Sequence, residues 1–308
     1  MAENTFDRIV DRRGTDSYKW DEGESLKGDV IPMWVADMDF RVADCIIDAL
    51  HKRVEHGVFG YTSVPETYYE SVINWFSRRH NWTIERDWIQ YTSGVVPAIS
   101  VTIKAFTAPG DKVIVMTPVY NCFFSSIRNN ECETLKCPLK YCLSDEGVVS
   151  YSIDYESLER MCSDPRTKIL LFCNPHNPAG RVWTKEELQK VGCICRKHDV
   201  IVVSDEIHCE IVMPGYEFIP FASVSSDNQD CCITLNSPSK SFNTAGLQIA
   251  NIITNNPEWA KRINKAINVN EVCDVNPFGV IALQAAYGVP SSDRYPIGPG
   301  EEWLKGMN

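Results

Sequence analysis

The sequence predicts an α/β protein of three layers, α/β/α, with a mostly parallel central sheet covered by helices on both faces. Three observations lead there. Apolar runs of four or five residues alternate along the chain with amphipathic stretches of helical period. Each run is apolar at successive positions, the pattern of strands buried on both faces. Polar residues that can do chemistry follow the runs directly, where an open parallel sheet places its ligand crevice. The 308 residues, 44% hydrophobic and 23% charged, have globular composition and exclude a disordered, collagen-like or coiled-coil chain.

Taken in order, residues 1–30 are polar and dotted with glycine, and read as an extended arm. In 41–56, Val42, Ile46, Ile47 and Leu50 keep helical spacing, and Gly57 stops the helix. A second helix spans 65–79, with Pro65 at its start. Pro97 fits the first turn of a helix running to about Ala108 and ended by Pro109-Gly110. Strands follow at Lys112–Met116, Ile169–Cys173, Val200–Val203 and Cys231–Leu235, with a helix over Thr184–His198. No internal repeat is present. By domain, 1–56 reads as an arm and part of a small domain, 57–276 as the large domain, and 277–308 as the start of a C-terminal small domain.

Charge and cysteine content narrow the function classes. Asp plus Glu outnumber Lys plus Arg by 41 to 30, a formal net charge of −11, which repels nucleic acid. No apolar run approaches the roughly 18 residues of a membrane span and no signal-type h-region opens the chain, so a cytoplasmic protein is expected. The thirteen cysteines include no C-x-x-C pair, and reduced thiols without a structural metal are expected.

The segments after the strands carry the candidate site. Asn174 and Asn177 follow the second strand, Asp205 and His208 the third, and Ser237, Ser239 and Lys240 the fourth. A lysine of lowered pKa is a nucleophile and Schiff-base former, whereas a lysine in a turn is by itself more often a solvated charge. A carboxylate ending an apolar strand needs a partner: a metal, a histidine, a cationic ring nitrogen or the cap of a following helix. Ser93-Gly94-Val95, at a helix start, offers free N–H groups to a phosphate. Tyr120, after the first of these strands, offers a flat ring for stacking.

Together the strings NPHNPAGRVWTKEEL (174–188), VSDEIHCEI (203–211), SPSKSFNTAGLQ (237–248), WVADMDF (34–40) and FGYT (59–62) resemble the fold-type I pyridoxal 5'-phosphate (PLP) enzymes of the aminotransferase class I/II superfamily. Within it they resemble the C–S β-lyase branch, the cystathionine β-lyase-like proteins related to MalY and PatB. The likeness runs from about Arg8 to Tyr287. It implies that Lys240 bonds the cofactor and acts as base, that Asp205 pairs with the ring nitrogen, and that Asn177 and His208 face the ring's phenolic oxygen. It further implies that Tyr120 stacks on the ring, that Gly94, Val95 and Ser237 hold the phosphate, and that Ala36 and Asp37, with Tyr120 and Asn177, line the substrate side. Tyr61 would reach the phosphate of a neighbouring subunit, implying a homodimer with shared sites.

The implied reaction is α,β-elimination from cystathionine or a cysteine S-conjugate, giving pyruvate, ammonia and a thiol. Transamination begins with the same proton abstraction, and a partner-binding protein that keeps the fold is a reading of another class. Two departures stand out. Gln248 occupies a position where many aminotransferases have arginine. Relatives continue past the point where this chain reaches Asn308, so the small domain is expected to be truncated, and with it the arginine that clamps the substrate carboxylate, impairing turnover.

Overall fold

The computed structural model describes residues 5–22 and 30–308. Within them the strands are β1 (Ile89–Thr92), β2 (Lys112–Thr117), β3 (Glu133–Pro138), β4 (Lys140–Leu143), β5 (Val149–Ser152), β6 (Thr167–Cys173), β7 (Ile201–Asp205), β8 (Cys232–Asn236) and β9 (Ala250–Ile253). The helices are α1 (Tyr18–Asp21), α2 (Asp44–His56), α3 (Glu66–His80), α4 (Val95–Phe106), α5 (Asn121–Asn129), α6 (Tyr155–Cys162), α7 (Lys185–Lys197), α8 (Ser226–Asp230), α9 (Pro257–Val269), α10 (Pro277–Tyr287) and α11 (Pro299–Met307). Seven strands form one sheet in the order β1-β9-β8-β7-β6-β2-β3, and β4 and β5 form a separate hairpin. Strands β3, β2, β6, β7 and β8 run parallel, while β9 is antiparallel to both its neighbours. Two reversals in succession leave β1 pointing the same way as β8. The carboxyl ends of β1, β2, β6, β7 and β8 therefore share one edge.

Alternate residues of each inner strand enter two separate cores, as a strand's period of two requires. Val113, Val115, Ile169, Leu171, Val203 and Ile233 pack against α4, α5 and α9. Ile114, Met116, Leu170, Phe172 and Val202 face the layer that contains α6, α7, α3 and α10. The four predicted strands and four predicted helices all form, and their ends shift for local reasons. Helix α2 stops at Gly57, which takes the left-handed conformation at φ 72°. Helix α7 begins one residue after Thr184, which forms a capping box with Glu187. Helix α4 starts two residues ahead of Pro97 and stops at Phe106, where the Thr107 N–H closes on the Ile103 carbonyl.

Beyond α10, residues 288–298 turn back through Gly288 (φ 76°) and Gly298 (φ 117°) and lay α11 against α10. The approach is close enough that a Cβ on Gly300 would stand 1.9 Å from the Ala286 carbonyl oxygen. Trp303 of α11 stacks on Phe242 at 5.8 Å. Near this end lies a buried carboxylate, Glu210, bonded to Trp75 Nε1 (2.8 Å), Arg79 (2.7 Å) and His80 Nε2 (2.7 Å). All thirteen cysteines are free thiols.

Candidate active site

The shared carboxyl edge assembles most of the predicted residues because each lies within a few positions of a parallel strand's end. Asp205 is the last residue of β7, opposite Cys173 on β6 and Leu235 on β8. It is buried, and the one hydrogen bond of its carboxylate among the described residues is from the Ile207 N–H to Oδ1 at 3.2 Å. Lys240 follows β8 by four residues and is half-buried. Its Nζ donates to the Ala36 carbonyl at 3.4 Å, and among the described residues it makes no ion pair. Asp205 and Lys240 nonetheless feel each other's charge. Asp205 ends β7 and Lys240 follows the neighbouring β8, so carboxylate and amine lie at the same edge of the sheet, and among the described residues they form no ion pair.

Burial sets the charges. It raises the Asp205 carboxyl to about 7 against the pull of the Ile207 N–H and the Lys240 charge. It lowers the Lys240 amine, opposed by the charges of Asp37, Asp205 and Cys122. It takes His208 down to about 4, with the Lys240 charge adding to the effect, so this imidazole is neutral near pH 7. Tyr120 is pushed well above its ordinary value, chiefly by burial and then by Cys122 and Asp205. Its ring stands edge-on to Phe123 at 6.2 Å.

Asn177 is half-buried after β6. Its N–H donates to Cys173 Sγ at 3.3 Å, and its side-chain amide makes no hydrogen bond among the described residues. At the end of β1, Gly94 is the N-cap of α4 in an extended conformation, with no side chain capping the helix. The first-turn N–H groups from Val95 onward are thus open to an anion at the shared edge. Ser237 is 1% exposed; its hydroxyl donates to the Ile249 carbonyl (2.6 Å) and accepts from the Ser239 N–H (3.1 Å). That hydroxyl is thereby occupied in shaping the turn that presents Ser239 and Lys240. Tyr61 lies apart from Lys240 in this chain, fully exposed beside Phe59, Gly60 and Thr62.

Several contributors were not legible in the motifs. Cys122, at the start of α5, falls within range of both Tyr120 and Lys240. Asn243, at φ 56°, ties the lysine turn to the segment bearing Ala36: its side chain accepts from the Met38 N–H (2.9 Å) and donates to the Met38 and Phe40 carbonyls. Its place three residues after Lys240 was the available signal. Glu206, buried beneath the edge, accepts at Oε1 from Phe221 N–H, Ser204 Oγ and Asn174 Nδ2, and burial raises it to about 8. Gln248 is exposed at the end of a short turn.

The aminotransferase class I and II family matches residues 28–283. The chain belongs to this family. Within the family it is 43% identical over 286 residues to the cystathionine β-lyase PatB of Bacillus subtilis, covering 92% of this chain and 72% of PatB. A PLP-bound putative aminotransferase from Clostridium difficile superimposes with a TM-score of 0.90 at 41% identity, over 99% of this chain and 75% of that one. A PLP-bound C–S lyase from Staphylococcus hominis superimposes at 0.86 and 34% identity, over 98% of this chain and 73% of that one. The expected family and its sheet architecture both hold. Among the described residues no helix is long and apolar enough to cross a membrane.

Proposed function

We propose that this chain is a PLP-dependent C–S β-lyase. With one water, it would convert cystathionine or a related cysteine S-conjugate to pyruvate, ammonium and a thiol. The observation that carries this reading is a pair of groups at one edge of the sheet: a buried Asp205 carboxylate with a single backbone partner, and a Lys240 amine that, among the described residues, pairs with neither it nor any other anion. Without a cation between them, Asp205 is left at about 7; a protonated ring nitrogen is the partner this carboxylate lacks.

The other residues fit the same group. Lys240 would hold the aldehyde carbon, Tyr120 and the Asn177 amide would contact the ring, and the uncapped start of α4 would take the phosphate. Ser237 would support that cradle from behind through its bond to the Ser239 N–H. Bound there, PLP supplies the electron sink for carbanion chemistry at the substrate's Cα. The chain's own part is proton handling and placement. Lys240, its affinity for protons lowered by burial, removes the Cα proton. Neutral His208 offers a hydrogen bond without adding a second cation beside the lysine. Ala36 and Asp37 bound the substrate side, close to the base. The names of PatB and of the Staphylococcus hominis enzyme support elimination over transamination.

We place the enzyme in the cytoplasm as a homodimer. Full exposure of Tyr61, with Val58 and Phe59 more than half exposed beside it, supports a second subunit covering that loop and receiving the tyrosine. The cofactor would lie within residues 57–276. The test is borohydride reduction of the PLP-loaded chain, with the mass increment mapped by peptide, followed by a pyruvate assay with cystathionine. The increment is expected on Lys240 and absent from Lys240→Ala, with pyruvate formed only by the parent. A label on another lysine overturns the site, a keto acid without pyruvate makes the chain an aminotransferase, and labelling without turnover favours a binding role.

A further inference from the structure

The N-terminal arm brings a cation to the edge of this site that the mechanism leaves unused. Arg12 Nη2 lies 2.6 Å from Asp37 Oδ2 and 3.0 Å from Ser17 Oγ. Its Nη1 lies 2.8 Å from Asp39 Oδ1 and 3.2 Å from the Met38 carbonyl. Lys19 reinforces the grip, donating to the Asp37 carbonyl (3.0 Å) and to Asp39 Oδ2 (2.9 Å). The other oxygen of Asp37, Oδ1, is buried and has no hydrogen-bond partner.

One residue back, the Ala36 carbonyl accepts from Lys240 Nζ. The amine therefore donates to the neutral carbonyl next in sequence to a carboxylate whose charge bears on it. An ammonium and a carboxylate on neighbouring, partly buried groups attract, and would pair if the carboxylate were free to turn. Instead, Asp37 Oδ2 is held by Arg12, and among the described residues Asp37 and Lys240 form no ion pair.

We propose that Arg12 is a positioning residue that holds the Asp37 carboxylate away from the Lys240 amine, leaving the amine free to take the substrate's proton. The inference rests on the role of Lys240 given above, but its test reads the amine itself. The groups bearing on that amine are Asp37 from the 36–39 segment, Asp205 from β7, Cys122 from α5 and His208 from the loop after β7. Arg12, Lys19 and Asp39 act on it through Asp37. With Arg12 neutralised, Asp37 loses its counter-charge and its anchor, turns to Lys240 and keeps it protonated.

The experiment is competitive acetic-anhydride labelling of the full cofactor-free chain across a pH series, with Lys240 acetylation read by peptide mass spectrometry. Arg12→Gln is expected to raise the Lys240 midpoint by about one to two pH units. Arg12→Lys should stay near the parent, and Arg12→Gln with Asp37→Asn should fall back to the Asp37→Asn value. In the PLP-loaded chain, Arg12→Gln should lower kcat more than it raises KM and move the acid limb of the pH profile upward. An unchanged midpoint in Arg12→Gln, or one still raised in the double variant, overturns the proposal. Should Arg12→Gln fail to fold, Asp37→Asn alone decides: its midpoint must fall below the parent's, and an unmoved midpoint refutes the arrangement. Shifted labelling in a chain that makes no pyruvate upholds the arrangement while sinking the lyase reading.

Discussion

Replacing Asp205 by asparagine should make the cofactor-free chain more stable at pH 8, with an advantage that shrinks as pH falls. The unfolded carboxyl releases its proton near 3.8, whereas the folded one, buried at the end of β7, holds it to about 7. Between those values the folded state binds more protons than the unfolded one, so stability falls with pH through that window and levels off above about 7. At 1.36 kcal/mol per pKa unit the loss is roughly 4 kcal/mol at pH 8 and roughly 1.5 kcal/mol at pH 5. Asparagine keeps an acceptor for the Ile207 N–H but buries an amide, which costs about 1–3 kcal/mol at every pH. That cost cancels in the comparison between pH values, as to first order does the titration of Glu206, which both proteins share. Urea unfolding of the two cofactor-free proteins should therefore show a gain from Asp205→Asn about 2.5 kcal/mol larger at pH 8 than at pH 5. With PLP and cystathionine the same variant should lose at least about a hundredfold in turnover, the scale of removing one preorganised electrostatic contact. A stability difference that does not change with pH would refute the claim that Asp205 is a carboxylate strained by burial and kept for its chemistry.

Other sites test the frame that carries this edge. Glu210→Ala removes the shared acceptor of Trp75, Arg79 and His80 and should cost about 3–5 kcal/mol in urea unfolding, the scale of breaking a buried ion pair. Gly300→Ala sets a methyl against the Ala286 carbonyl, and a thermal melt should show about 1–3 kcal/mol lost as α11 is pushed off α10. Thr184→Ala opens the capping box of α7 and should cost about 1 kcal/mol by the same melt.

The parts of this protein readable from residues alone are those governed by local pattern. Runs such as ILLFC and VIVV, too short for helices and apolar on both faces, placed four central strands, and the helical stretch Thr184–His198 placed α7. Because parallel strands all end on one edge, the residues following those runs converge there, which makes the grouping of Asp205, His208 and Lys240 legible in the sequence. Strands with a different pattern escaped: β3 is a polar edge strand, and β1 and β9 are four-residue segments recognised only by pairing with each other and with β8. The motifs also named Ser237 and Asp37 without revealing what holds them. Only the tertiary structure shows the Ser237 hydroxyl spent on Ile249 and Ser239, and Asp37 turned toward Arg12, twenty-five residues earlier in the chain. Strand and helix periods act over a few residues and are written in sequence. The direction of a carboxylate depends on which distant cation the folded chain brings beside it, and on how much water burial removes.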